Sequence, residues 1–438
     1  MFTFKDAIIL GLLCTISGFV YFTWTVLPPK MDGTSVFTFR HAVHAYRNLI
    51  QSGAELGSSF SVYRENGNVL NVFGGYTDKR FRLAWTQDTV TQTFTLGLLS
   101  VSFTFALLVQ RSLVNLNDPL VKYIPTFSAT QVTISDLLTH QAGFPYFIDP
   151  VHLSVWRDDY MTVVRNITHQ VPSKTPKNQI FHVHSLALLA DAIVRKADPK
   201  HRTLAHFFME EITWPLGVDI LIGIPRSQAY RMARTYHADL TKFLSTLFYL
   251  DFGYLWLDLQ TAKSMPYGSD RDRAMQIFTD YDLVFNLNPD LLEVPLPSSH
   301  LFTNARALAR LFTILLPPEN NTVPSNSNLF HANTVKQLLQ IHPDAKHKGP
   351  TFDPVLQRYV QFTVFGLMVA ESPEGTPLYG MWDDILGQMV FVDPHRRITV
   401  AYTTNHAHGR SLKRDFIIRN LLDAIYQCLF SESDYPKS

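Results

Sequence analysis

The segment from Asp88 to Pro125 constrains this chain more than any other. A polar lead-in at Asp88 and Thr89 opens a long apolar run, which closes on Arg111 and then on Asn117-Asp118-Pro119. The run is too long for an ordinary strand and predicts a buried helix of about five turns. A helix that is apolar on every side has to be enclosed by other elements. At 438 residues the chain has the material to enclose it, as one large domain or two ordinary ones.

Charge narrows the classes of partner. With 38 basic against 37 acidic residues, no polyelectrolyte partner is implied and nucleic acid is not expected. The two cysteines, Cys14 and Cys428, exclude a disulfide scaffold and a zinc site built on several thiolates. No metal site and no cofactor is expected. Residues 1–30 read as a membrane anchor, because Ala7 to Leu27 is apolar and uncharged for about the length of a bilayer span. The apolar run continues past the small residues that would suit signal cleavage, which favours a retained anchor over a cleaved signal peptide. The sequons at Asn166 and Asn320, as glycosylation candidates, lean the remainder toward a lumenal or extracellular domain on a single-pass membrane protein.

Along the chain, Phe39 to Gln51 reads as an amphipathic helix. Alternating apolar residues flank Glu65-Asn66-Gly67-Asn68, a hairpin signature. Ile180 to Val218 predicts two helices, and Ser298 to Leu316 one more. Val364 to Val369 predicts a strand. Met389 to Pro394 and Ile398 to Thr404 predict an antiparallel pair turning at His395-Arg396-Arg397. A final helix is expected after Ser411, with Leu412, Phe416, Leu421, Ile425 and Leu429 on its apolar stripe.

Several of these stretches, in order, resemble the serine β-lactamase-related family of class C β-lactamases, D-alanyl-D-alanine carboxypeptidases and related esterases. The stretch from Asp88 matches its DT-x-x-x-x-FS-x-x-K helix and following DDP-x-x-KY-x-P. Gly74-Gly75-Tyr76, the Thr133 to Gly143 segment, Pro215-Leu216-Gly217 and the strands ending at Asn405 match further motifs. The resemblance covers roughly residues 36–430. It implies an α+β fold: an antiparallel β-sheet flanked by helices, with an inserted helical subdomain at about residues 120–330.

The resemblance also implies where chemistry would sit. In the family a serine opens the helix, a lysine one turn on takes its proton, a tyrosine completes proton transfer, and a glycine-rich strand supplies an oxyanion-hole amide. An ungapped count puts Thr95 at the serine and Leu98 at the lysine. Phe181 falls at the tyrosine, Trp382 at the usual histidine, and Gly387 is the one glycine left in a loop where Asp384 and Leu386 replace others. His140 recurs in the family as a structural residue. His182 and His184 are alternative bases for Thr95, and this pair or His406 with His408 could form half of a metal site. The expected function is a non-catalytic binding or scaffolding domain, with a small molecule or peptide in the vestigial cleft and the membrane as a partner through the N-terminal helix. The alternative is a divergent hydrolase of esters, amides or peptides that uses Thr95.

Overall fold

The computed structural model describes residues 4–25, 30–64, 67–127, 129–145, 150–169, 179–237, 278–279, 288–316, 329–343, 349–356, 358–383, 386–407 and 412–433. At its centre is an antiparallel sheet. Its strands are β1 (Met31–Ser35), β2 (Gly57–Arg64), β3 (Gly67–Asp78), β4 (Met368–Glu371), β5 (Pro377–Trp382), β6 (Met389–Asp393) and β7 (Ile398–Thr404), in the spatial order β1-β3-β2-β7-β6-β5-β4, with the short strand Leu83–Ala84 added against β3. The hairpin and the C-terminal pair therefore share one sheet, as the resemblance implies. β7 is the seam: it pairs with β2 from Ile398↔Arg64 to Thr404↔Ser58.

Two layers of helices cover the sheet. On one face lie α2 (Arg40–Gln51) and the C-terminal helix α6 (Leu412–Ser433), sharing a core with Phe60, Val72, Phe391 and Tyr402. Tyr46 of α2 donates its hydroxyl to the Ser58 carbonyl at 2.7 Å, which anchors the helix to β2. Leu421, Ile425 and Leu429 point inward as expected, but Phe416 is half exposed; Ser411 lies outside the described residues. The second core holds α3 (Leu98–Gln110), α4 (Val183–Ala197) and α5 (Ala305–Phe312). α3 is buried from Leu98 through Leu108, so the all-round apolar run does what its composition requires.

Two expected elements differ. Ser298 to Leu316 is not one helix: Leu301–Thr303 is a strand, and Asn304 then caps α5 by accepting the Ala307 amide at 2.9 Å. The cap residue ends the extended segment and starts the helix at one point, which apolar spacing alone does not reveal. The strand expected at Val364 begins only at Met368. Gly366 at φ +83° closes a tight turn in which the Thr363 amide donates to the Leu367 carbonyl at 2.8 Å.

The membrane anchor, and with it the single-pass lumenal or extracellular placement, is overturned. Residues Phe4–Thr25 do form a helix, α1. Among the described residues, however, no helix is long and apolar enough to cross a membrane.

The packing of α3 yields the first prediction. The Phe103 ring is fully buried, edge-on to Phe312 at 5.5 Å and stacked with Phe330 at 6.0 Å. Phe103→Ala should cost about 3–5 kcal/mol of unfolding free energy, read as a lowered urea midpoint at unchanged slope. A change below about 1 kcal/mol would mean that α3 is not the packed centre of its layer.

Candidate functional site

The approach to Thr95 is held from two sides. Thr91–Gln92 pairs with Leu301–Thr303, which in turn pairs with Leu221–Ile222. Thr93 adds its amide at 2.8 Å and its hydroxyl at 3.0 Å to the Leu301 carbonyl. From the other side comes Gln388, fully buried, in the loop between β5 and β6. Its Nε2 donates to the Gln92 carbonyl at 2.9 Å, and its Oε1 accepts the Thr91 hydroxyl at 3.0 Å. One amide side chain thus ties the loop carrying Gly387 to the segment carrying Thr95.

Thr95 lies in a 3-10 turn, Phe94–Gly97, which passes directly into α3. Phe94 has φ +42°, a conformation that costs a bulky residue on the order of 1–3 kcal/mol. Its ring is held in a small cluster with Leu386 and Ala407. Gly97 has no substitute, since a Cβ there would come within 1.8 Å of the Pro297 carbonyl oxygen. The turn that carries Thr95 is tightly fitted and strained.

Thr95 is 4 % exposed, and among the described residues no side chain hydrogen-bonds its hydroxyl. Leu98, first in α3, is 3 % exposed and carries nothing that can accept a proton. Phe181 is fully buried, its ring 4.5 Å from that of His140. Its amide donates to Asp353 Oδ2 at 2.6 Å. Trp382 ends β5, half-buried, with the Arg358 guanidinium 5.7 Å from its ring centre. Asp383 then shapes the loop. Its amide donates to the Gln388 carbonyl at 2.8 Å, its carbonyl accepts the Gly387 amide at 3.0 Å, and its Oδ2 accepts the Leu386 amide at 2.7 Å. The Gly387 amide is therefore occupied within its own loop. Gly387 has φ +79°, and Asp384 lies outside the described residues.

His140, His182 and His184 are buried and neutral. The His140 carbonyl accepts the Ile180 amide at 3.0 Å, and its Nδ1 accepts the His182 amide at 3.2 Å. It is thus an acceptor fastening two segments, held far below the usual histidine range by burial and by neighbouring His182. His182 donates Nδ1–H to the Ile180 carbonyl at 2.8 Å, and burial pushes it down to about 4. His184 Nδ1 lies 2.8 Å from Ser298 Oγ; burial, aided by His300, pushes it down to about 3. Bases this weak are poorly matched to work at neutral pH. His182 and His184 sit two residues apart at the start of α4, a spacing that does not share a helix face. Among the described residues no group of three His, Cys, Asp or Glu side chains is placed to hold a metal ion. His406 is buried beside Glu55, and His408 lies outside the described residues. Asn166 is part-buried within a helix, Tyr160–Thr168, and Asn320 lies outside the described residues.

Gln388, Asp353 and Arg358 were not singled out from sequence. All three act through contacts with residues far away in the chain, and no local spacing marks such contacts.

The β-lactamase family model matches residues 43–423. This chain belongs to the β-lactamase family. Esterase/beta-lactamase LipL of Mycobacterium tuberculosis is 23% identical over 204 residues, 46% of this chain and 47% of LipL, so the chain spans about half the length of that relative. Among solved structures, a penicillin-binding protein homolog from Caulobacter crescentus superposes with a TM-score of 0.72 at 22% identity, covering 91% of this chain and 100% of that one. A family VIII carboxylesterase gives the same TM-score, 0.72, at 18% identity, over 91% and 100%. These two likenesses establish the fold.

Buried neutral histidines make stability depend on pH. An unfolded histidine titrates near about 6.5, whereas His182 and His300 are pushed down to about 4 and His184 to about 3 by burial. The unfolded chain then binds more protons, so the stability due to these groups is complete above about 6.5 and is lost as pH falls toward 4. The urea midpoint should drop steadily from pH 7 to pH 4, and His184→Gln should flatten the slope. A midpoint constant over that range would contradict the burial of all three rings.

Proposed function

We propose that this β-lactamase-family chain binds a ligand of the ester, amide or peptide class in its family pocket without turning it over. The observation that carries this reading is the empty proton relay: Thr95 has no hydrogen-bonded base among the described residues, and Leu98 stands where a base would stack beside it. Losing one proton-handling group typically costs about 10²–10⁴ in rate. Here the second such group, at Phe181, is also without a hydroxyl, and members of one catalytic unit do not compensate for each other. The strained turn at Phe94 and the close approach at Gly97 hold the backbone around Thr95 in one shape, which is what binding needs.

The relatives favour a second reading, a divergent hydrolase acting through Thr95. LipL is an esterase/β-lactamase, and the solved neighbours include a carboxylesterase. On names alone this hydrolase reading is the better supported of the two. It requires a base to reach the Thr95 hydroxyl when substrate binds. The two readings differ in one covalent bond. Intact-mass measurement after incubation with a fluorophosphonate or with benzylpenicillin should show no adduct on the wild-type chain. A stoichiometric adduct that disappears in Thr95→Ala would replace the non-catalytic reading with the hydrolase.

A further inference from the structure

Helix α2 has two sides of opposite character. Ala42, Tyr46 and Ile50 recur at helical spacing and are buried against the sheet. Arg40, His44 and Arg47 recur at helical spacing on the opposite side, and all three are exposed. With His41, and with Val36 and Phe37 from the segment that joins β1 to α2, they line an open cleft of about 580 Å³. That is the size of a small-molecule site. Phe37 is 79% exposed, and the Arg40 guanidinium lies 4.8 Å from its ring centre.

Charge sets this cleft apart. Elsewhere in the chain arginines are matched by carboxylates: Arg111 by Glu211, Arg195 by Asp191, Arg202 by Asp198, Arg231 by Asp219 and Arg396 by Glu374. Arg40 and Arg47 have no carboxylate partner, and no acidic side chain lines their cleft, among the described residues. His41 and His44 also border the groove on the other flank of α2, where Asp423 stands. One carboxylate there, against two guanidinium groups, leaves this face of the helix cationic.

Seven residues of helix place the two arginines about 10 Å apart along the axis. Each presents a planar fork of donors that matches a phosphate. Phe37 and Val36 offer an apolar surface beside them. We propose that this cleft is an anion site for a soluble organic diphosphate, with a phosphate held by each guanidinium and the organic group laid against Phe37 and Val36. α2 packs on the face of the sheet away from α3, so the site is separate from Thr95 and independent of any reading of that residue.

Calorimetric titration of the full chain with ADP, and with pyrophosphate as the bare anion, tests the site. Wild type and Thr95→Ala should bind ADP saturably and alike. Arg40→Gln and Arg47→Gln should each weaken binding roughly tenfold, the loss of one charge-assisted contact. Phe37→Ala should reduce the affinity for ADP to that for pyrophosphate. All of these positions except Thr95 are exposed, so the urea midpoints of the Arg40, Arg47 and Phe37 variants should match wild type. The absence of saturable heat with both probes would overturn the proposal, and so would ADP binding that survives the double arginine change. A polyglutamate peptide or phosphatidylglycerol vesicles bound through the arginines, where ADP is not, would also overturn it and replace the diphosphate with an acidic protein or a lipid surface.

Discussion

The pairing of β2 with β7 is the constraint on which the rest of the structure depends. It joins residues 58–64 to residues 398–404 across most of the chain's length. The register is reinforced by side chains. Ser59 Oγ lies 2.8 Å from Thr403 Oγ1 and also accepts the Ala305 amide at 3.1 Å, so the seam is fastened to the start of α5 as well. Thr404 donates to the buried Glu55 carboxylate and to the Gly57 carbonyl, which closes the end of the seam. Neither the hairpin nor the C-terminal pair could bury its apolar face alone. Once they are joined, α2 and α6 have a floor on one face, and α3 has a roof on the other.

The pocket inherits its geometry from that seam. β7 fixes β6, β6 fixes β5, and the loop between β5 and β6 carries Gln388 onto the strand that leads to Thr95. Backbone positions around Thr95 are thus specified to hydrogen-bond accuracy. A polar relay buried without partners would be costly. Leu98 and Phe181 are buried and apolar, and carry no such cost.

Much of this was legible in the sequence, for identifiable reasons. The α3 run declares itself by being apolar on every face, and β6 and β7 by continuous apolar runs around a polar turn, where Arg397 takes φ +55°. The family frame was readable because Asp118-Pro119 and Gly74-Gly75 fix the count along the chain. Three things were not readable. The division of Ser298 to Leu316 depends on a strand partner about 210 residues away. Phe416 falls in register with the apolar stripe, yet faces solvent. The apolar N-terminal run satisfied a hydropathy criterion, whereas no described helix is long and apolar enough to cross a membrane. Composition reports what a segment can do, while tertiary contacts decide what it does.

Calorimetric titration of the wild-type chain with p-nitrophenyl butyrate tests the central claim most directly, because it registers binding and turnover in one trace. The absence of a hydrogen-bonded base for Thr95 among the described residues predicts a heat of binding that saturates and returns to baseline, the same in Thr95→Ala. Sustained heat flow with release of p-nitrophenol, lost in Thr95→Ala, would contradict the account and establish this chain as a working hydrolase.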